Sequence, residues 1–348
     1  MDYIKKINTE LKPYFDKELN KTVVDLFAGC GGLSLGFEAN GFKTVGYEMD
    51  ENASNTYNNN LLGKCHTEKL SLESEYPKAE ILIGGPPCQP FSVGGKQLGL
   101  KDSRDGFPIF IDAVKKVNPE VFLFENVRGM LYKNKWYLIE VLQELENLGY
   151  KINYALLNAK NYDVPQNRER VIVIGAKEKI NLPLKRSYFV TAGEALGKLA
   201  IESDENSKFL TESMDKYIAK YEKASSCINP RDLHLDRPAR TLTCRNLAGS
   251  TGDMHRVKLP NGKRRRITVR EAARLQSFPD WFEFKGNETS QYNQVGNAVA
   301  PYFAFHIART IKNYLTGENQ NYINITENRQ YTFFENETIY QSRQVSNL

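Results

Sequence analysis

Short apolar segments alternate with amphipathic segments along the first half of the chain. Apolar runs predict strands at 23–28 (VVDLFA), 44–49, 80–85, 121–126, 152–159 and 170–176. Helical spacing predicts helices between them, at 33–42, about 108–117 and 136–149. This alternation favours parallel βαβ units, so we expect an α/β fold whose sheet is covered on both faces. Such a sheet binds ligands at the carboxyl ends of its strands.

The alternation stops after about residue 180. Weak helical spacing returns at 269–278, and clear helical spacing runs from Val299 to Leu315. The Asn-, Gln- and Glu-rich end of the chain is expected to be peripheral or partly disordered. We therefore divide the chain into a first domain (1–180), a smaller loop-rich domain (181–265), a hinge (266–290), a C-terminal helix region that completes the first domain (291–316) and a polar tail (317–348).

The composition is that of a soluble globular protein. The 348 residues are room for about two domains, and 41% hydrophobic with 26% charged residues excludes a disordered or collagen-like chain. No apolar run approaches the roughly 20 residues of a membrane helix, and the polar N-terminus lacks a signal peptide's apolar core. The five dispersed cysteines are expected to be reduced thiols, one of which could be a nucleophile. We expect a cytoplasmic protein.

Positive charge is concentrated in one stretch. The net charge is +5, but 12 basic and four acidic residues between Arg231 and Arg274 give that stretch +8 and leave −3 for the rest. Such an excess is typical of a protein that binds a phosphate backbone. A solvated surface is the alternative.

A glycine turn follows the first predicted strand. The sequence DLFAGCGG spans Asp25 to Gly32, and Glu48 ends the next predicted strand. Glycines let a ligand approach the backbone closely, and an acid about 20 residues further on suits ribose hydroxyls. The dinucleotide pattern GxGxxG is incomplete, because Ser34 occupies its third position. The motif indicates an adenosine-type cofactor, with a simple tight turn as the alternative.

Three further motifs bring reactive side chains to strand ends. Cys88 lies in GGPPCQPFS, where three prolines rigidify the loop and favour a nucleophile over a structural thiol. Glu125 ends a strand and could transfer a proton, whereas Asn126 beside it could instead cap a helix. QNRER, at 166–170, suits an anionic or carbonyl-rich ligand, with a surface ion-pair cluster as the alternative.

Together these motifs resemble the cytosine-5 DNA methyltransferase family of the bacterial restriction–modification type. The resemblance covers about residues 22–178 and 266–316. The motifs occur in the family's order: DLFAGCGGLSLGF, GGPPCQPFS, ENV, QNRERV, RITVREAARLQSFPDWF and QVGNAVAP. The resemblance implies a Rossmann-like methyltransferase domain with a mixed, mostly parallel sheet, followed by a smaller, loop-rich target-recognition domain.

The resemblance implies covalent catalysis, with S-adenosylmethionine as the methyl donor. Cys88 matches the nucleophile that adds to C6 of cytosine and makes C5 reactive. Glu125 matches the glutamate that holds or protonates the ring at N3. Arg170 matches the residue that binds the base carbonyl, and Arg168 is expected to support the loop or a phosphate. A base, or a water molecule, would then remove the C5 proton.

A cofactor pocket is implied in the same way. Phe27 matches the aromatic residue that packs on adenine, Glu48 the ribose carboxylate, and Asn297 a residue that returns to the pocket. Glu68 or Lys69 stands where the family often has an Asp-Ile adenine contact, so that contact is left open. The expected cofactor-binding residues are Phe27, Ala28, Gly29, Gly31, Gly32, Leu33, Glu48, Met49, Pro86, Asn297 and Ala298.

Double-stranded DNA is the implied substrate, and 181–265 its recognition domain. The target cytosine must rotate out of the stack, and the glycine-rich loop after Cys88 resembles the loop that closes over it. The expected DNA-binding residues are Arg240, Thr241, Leu242, Arg245 and Arg256. Asn246 and His255 are also of types that contact base edges, and phosphate contacts are expected among Lys263, Arg264 and Arg265.

The resulting hypothesis is a monomeric, metal-free DNA cytosine-5-methyltransferase that protects host DNA. Its restriction endonuclease would be a genetic rather than a physical partner. A tRNA cytosine-5 methyltransferase is the alternative within the fold, disfavoured by the basic region. A non-catalytic DNA-binding relative is disfavoured by intact Cys88, Glu125 and Arg170, and a nicotinamide oxidoreductase by the missing glycine at position 34.

Overall fold

A seven-stranded sheet forms the centre of the molecule. The computed structural model describes residues 2–87, 105–185, 188–205, 207–224, 231–249 and 252–318. Its strand order is β3-β2-β1-β4-β5-β8-β6. The strands are β1 (Thr22–Leu26), β2 (Lys43–Glu48), β3 (Lys64–Thr67), β4 (Ile81–Gly84), β5 (Val121–Val127), β6 (Lys151–Asn158) and β8 (Glu169–Ala176), with a two-residue β7 (Gln166–Asn167) beside the sheet.

The sheet is mixed and mostly parallel, as the family resemblance implies. Strands β1 to β5 are parallel neighbours, whereas β8 runs antiparallel to both β5 and β6. The alternation of predicted strands and helices did not by itself reveal this antiparallel edge. The roughly ten residues between β6 and β8 are too few for a crossover helix, so the chain returns as an antiparallel partner.

Side chains from alternate positions of the central strands enter two apolar clusters. Val23 of β1 belongs to one cluster and Val24 to the other, and Leu123 and Phe124 of β5 divide in the same way. Period-two alternation with both faces buried is the pattern of a sheet covered by helices on each side. The helices are α1 (Tyr3–Glu10), α2 (Gly32–Glu38), α3 (Glu51–Asn60), α4 (Phe107–Val117), α5 (Lys135–Asn147), α6 (Ala192–Leu196), α7 (Glu212–Ala224), α8 (Val269–Leu275), α9 (Glu288–Asn297) and α10 (Pro301–Thr316).

Two polar helices, α3 and α9, lie outside the segments in which helical spacing was recognised. Their sequences, ENASNTYNNN and ETSQYNQVGN, lack a regular apolar stripe. Each is fixed by its N-cap instead: Asp50 accepts a hydrogen bond from the backbone N–H of Ala53, and Asn287 accepts one from that of Ser290. Buried Tyr57 and Tyr292 then anchor the two helices in the core.

The segment 188–266 contributes short elements to the same apolar core. Buried Leu196, Leu242 and Val257 belong to the cluster that also contains β1 and α10. The domain boundaries drawn from the sequence stay predictions. The strands here are β9 (Ala239–Arg240), which pairs with β7, and the antiparallel pair β10 (Arg256–Lys258) and β11 (Arg264–Arg266). Within the described ranges, no helix has the length and apolar character needed to span a bilayer.

Candidate active site

The glycine turn after β1 presents a carboxylate at the carboxyl edge of the sheet. Gly29 and Gly31 adopt φ values of +56° and +88°, and Phe27 has a φ of +59°. Glu48 Oε2 accepts a hydrogen bond from the Gly29 N–H at 2.9 Å, and Glu48 Oε1 accepts one from the Asp50 N–H at 2.8 Å. A side chain at Gly29 would project into open space, so the turn leaves room beside Glu48.

The chain returns to this turn from the C-terminal part of the sequence. A Cβ atom at Gly32 would lie 2.3 Å from the Val299 carbonyl oxygen and 3.4 Å from the Ala298 Cβ. Only glycine therefore allows 298–299 to pack here. The neighbouring Asn297 is exposed, and its Oδ1 lies 2.9 Å from the Cys244 Sγ. The structure thus brings residues 29–32 and 298–299 together.

The other expected cofactor residues surround the turn with different exposures. Ala28 and Leu33 are buried, whereas Met49 is 69% exposed at the end of β2. Lys69 is exposed, and Glu68 donates its backbone N–H to the Glu48 carbonyl at 2.9 Å. The residues that replace the family's Asp-Ile therefore follow directly from β3, beside β2.

A carboxylate–guanidinium pair occupies the end of β5. Arg170 Nε lies 2.7 Å from Glu125 Oε1, and the two side chains are only 14% and 12% exposed. The antiparallel register explains the contact, because Val127 pairs with Arg170 and places Glu125 two positions away. Arg170 lines a cleft of about 280 Å³, which is also lined by Val127, Arg128, Gly129, Asn167, Glu169 and Thr241.

The chain that leads to Cys88 is attached to the same strand end. Cys88 and residues 89–104 lie outside the described residues, as do 319–348 of the tail. The Pro86 carbonyl accepts a hydrogen bond of 2.9 Å from Asn126 Nδ2. Asn126 thus holds the backbone two residues before Cys88 close to Glu125. The alternative of Asn126 as a helix cap did not suggest this contact.

Comparisons with known proteins agree with this arrangement. A family model described as C-5 cytosine-specific DNA methylase matches residues 21–313. The Type II methyltransferase M.AplI of Arthrospira platensis is 52% identical over 323 residues, covering 92% of this chain and 93% of that protein. The chain belongs to the C-5 cytosine-specific DNA methylase family.

More distant relatives are consistent with this membership. The Type II methyltransferase M1.HphI of Haemophilus parahaemolyticus is 33% identical, covering 88% of this chain and 91% of that protein. The crystal structure of the S. pombe Dnmt2 methyltransferase has a TM-score of 0.65 at 20% identity, covering 86% of this chain and 100% of that chain. At that identity the likeness shows the fold alone.

Arg168 of this methyltransferase is a buried brace. Its guanidinium donates to the carbonyls of Leu242 (2.8 Å), Gly296 (3.2 Å) and Ala298 (3.0 Å). Burial, with a contribution from neighbouring Arg170, lowers its pKa to about 9. Arg168 was expected either to support the loop or to contact a phosphate, and the geometry agrees with the first role. A phosphate contact and the catalytic assignment do not fit, because the side chain is 2% exposed.

Sequence analysis missed a buried amide pair that joins the same segments. Gln166 Nε2 donates to Gln276 Oε1, and Gln276 Nε2 donates to the Ala298 carbonyl at 2.8 Å. Gln166 Oε1 accepts the Leu242 N–H at 2.9 Å. Both glutamines are fully buried, and their amide groups are hydrogen-bonded to each other and to backbone groups. The signal in the sequence was a glutamine inside each of the apolar-flanked motifs QNRERV and LQSF.

The expected DNA-binding residues divide by exposure. Thr241 lines the cleft and donates its hydroxyl to the Asn167 carbonyl at 2.6 Å. Arg245 is exposed. Arg240 is 34% exposed and paired with Asp253. These three positions are compatible with the expectation, which stays a prediction.

Several other expectations for this region are corrected by burial. Arg256 is fully buried between Glu222 (2.9 Å) and Asp232, so its guanidinium has no access to a base edge. Arg265 is 3% exposed and paired with Glu271, which rules out a phosphate contact in this arrangement. Leu242, Asn246 and His255 are buried as well.

Arg264 and Lys263 differ from these buried residues. Arg264 is 24% exposed and lies 3.0 Å from Asp215 and 2.9 Å from Asp232. Lys263 is exposed, with its Nζ 5.7 Å from the centre of the Phe209 ring. Much of the basic excess between Arg231 and Arg274 is thus neutralised internally.

Proposed function

We propose that this methyltransferase transfers a methyl group from S-adenosylmethionine to C5 of cytosine within a short specific sequence of double-stranded DNA. The observation that carries the proposal is the Glu125–Arg170 pair, whose arginine lines a cleft at the carboxyl edge of a sheet in a chain of this family. The relatives' names, Type II methyltransferase, support a role beside a restriction endonuclease that would cut unmethylated DNA.

The residues around the glycine turn fit S-adenosylmethionine. The open space at Gly29 gives room for a ligand, and the Glu48 carboxylate can accept hydrogen bonds from ribose hydroxyls. Phe27 and Met49 offer accessible apolar surface for the adenine, and exposed Asn297 precedes Ala298, which packs beside Gly32. When bound, the cofactor supplies an electrophilic methyl group.

The chain's own residues activate the base. Cytosine C5 is a poor nucleophile, and the Cys88 thiolate raises its reactivity by forming a bond to C6. Glu125 holds or protonates N3, which stabilises the charge that develops on the ring, and Arg170 binds the base carbonyl. After methylation, loss of the C5 proton to a base or water restores the double bond, and the Cys88 thiolate leaves.

Access to the base requires that the target nucleotide leave the duplex. The cleft of about 280 Å³ between β5, β8 and Thr241 is where we place the rotated base. Segment 241–244 is anchored to the β7 edge of this cleft through Thr241 and Leu242. This attachment supports a role for 181–265 in presenting DNA to the cleft.

A methyl-transfer assay tests the proposal directly. Labelled S-adenosylmethionine is incubated with the protein and either duplex DNA or tRNA, and bisulfite sequencing of the DNA locates 5-methylcytosine and the recognition sequence. A duplex with 5-fluorocytosine at the target should trap a covalent adduct on Cys88, because fluorine cannot leave as a cation.

The Cys88→Ser variant provides the control. It should lose methyl transfer but bind S-adenosylmethionine within a few-fold of the parent, because the thiol attacks the base. Methylation of tRNA alone, an adduct on another cysteine, or more than about a hundredth of parental turnover in the serine variant would overturn the proposal.

A further inference from the structure

A second arginine–carboxylate pair lies at the mouth of the cleft. Arg128 Nη1 is 2.8 Å from Glu169 Oε2, and these side chains are 56% and 37% exposed. Both residues line the cleft, as does Arg170. Arg170 is paired with Glu125, and these two side chains are only 14% and 12% exposed. An outer pair open to solvent thus lies beside an inner pair that is shielded from it.

The fold holds Arg128 in this position. Val127, the last residue of β5, pairs with Arg170 of β8, so Arg128 and Glu169 lie side by side just beyond that pairing. The Arg128 guanidinium carbon is also 5.0 Å from the centre of the Tyr132 ring. A cation over an aromatic face is held there without a second carboxylate. Arg128 can therefore keep its place when its contact with Glu169 is broken.

An exposed ion pair of this kind contributes little to stability. Its location suggests a different use, because a nucleotide whose base enters the cleft keeps its phosphate outside, at the mouth. There Arg128 would attract the phosphate and Glu169 would repel it. We propose that Arg128 exchanges Glu169 for a DNA phosphate when the target base enters the cleft. The inference rests on the proposed function and adds a partner exchange to it.

Binding measurements on two variants test the exchange. Arg128→Ala should weaken binding of a duplex carrying the mapped site about tenfold and lower the salt slope of log Kd by about one unit. Glu169→Gln should have the opposite effect and tighten binding severalfold, because Arg128 no longer has an internal carboxylate partner and the phosphate is no longer repelled. KM for DNA should follow these changes, whereas kcat should stay within about threefold.

A matched ion pair provides the control. Lys21 and Glu120 are also 2.8 Å apart and partly exposed, but they precede β1 and β5 at the opposite edge of the sheet. Lys21→Ala and Glu120→Gln should leave the DNA affinity unchanged, and Arg128→Lys should retain most of the salt slope.

Two results would overturn the exchange. One is an unchanged affinity and salt slope in Arg128→Ala with normal methylation, which would leave the proposed function standing. The other is weaker binding by Glu169→Gln. Melting temperatures equal to that of the parent would show that neither variant acts through unfolding.

Discussion

The cleft at the end of β5 and the basic segment 231–274 are both associated with arginine–carboxylate pairs, but the pairs differ in what surrounds them. Glu125 and Arg170 retain 12% and 14% exposure, and Arg170 lines the cleft. Arg265 and Glu271 retain 3% and 1%, and the Arg265 guanidinium also donates to the carbonyls of Leu199 and Glu202. The first pair can respond to a ligand, whereas the second is saturated by the protein itself. Local net charge in a sequence therefore does not measure the charge available to a partner.

The largest expected effect is at the cleft pair. Glu125→Gln keeps the size of the side chain and can still accept a hydrogen bond from Arg170, but it cannot transfer a proton. Turnover should fall by about 10²- to 10⁴-fold, measured as methyl transfer from labelled S-adenosylmethionine. Cofactor affinity and melting temperature should change little. A variant with more than a tenth of parental turnover would show that the pair is only structural.

The fold of the seven-stranded sheet was largely predictable, because most of its strands are apolar runs bounded by glycine or polar motifs. The apolar runs of β1, β4 and β5 can be recognised from their own residues, without knowledge of distant contacts. By contrast, the role of Arg256 depends on Glu222 and Asp232, 34 and 24 residues away. Nothing in its neighbours along the chain distinguishes it from exposed Arg245. Pairings of this kind arise only when the chain folds.

The buried pair of the basic segment should behave differently from the cleft pair. Arg265→Met leaves Glu271 buried without its partner, so the free energy of unfolding should fall by about 3–5 kcal/mol, measured by urea titration. DNA affinity per folded molecule and its salt slope should be unchanged.

Exposed Arg245 provides the matched comparison. Arg245→Ala should change stability by no more than about 0.5 kcal/mol. If Arg245 contacts a base, the substitution should cost about 1–3 kcal/mol of binding free energy for the cognate site alone. A stable Arg265→Met variant with a reduced salt slope would instead support a phosphate contact by Arg265, which the structure argues against.

The smallest expected effect is a pair of opposite pH dependences. Burial, opposed by the hydrogen bond from Ser34 and assisted by nearby Glu48, raises the pKa of Asp25 beneath the glycine turn to about 7. Burial lowers the pKa of His255 to about 3, assisted by Arg240 and Arg256. Burial thus favours the neutral form of one titratable group in the central sheet and of one in the basic segment.

The signs of the two contributions follow from linkage. Asp25 binds its proton more tightly in the folded state, so its contribution to stability is lost as pH rises from about 4 to about 7. His255 binds its proton less tightly when folded, so its contribution is lost as pH falls from about 6.5 to about 3. In the parent the two slopes oppose each other between about pH 4 and 6.5.

Removing one group should expose the slope of the other. Asp25→Asn should make the melting temperature rise with pH between 4.5 and 6.5, and His255→Asn should make it fall, each by about 2–4 °C per pH unit relative to the parent. Melting curves at half-unit intervals give both slopes, and the double variant should be flatter than either single variant. Equal slopes in the two single variants would mean that burial does not keep these groups neutral. The opposition between the two regions would then be confined to their arginine pairs.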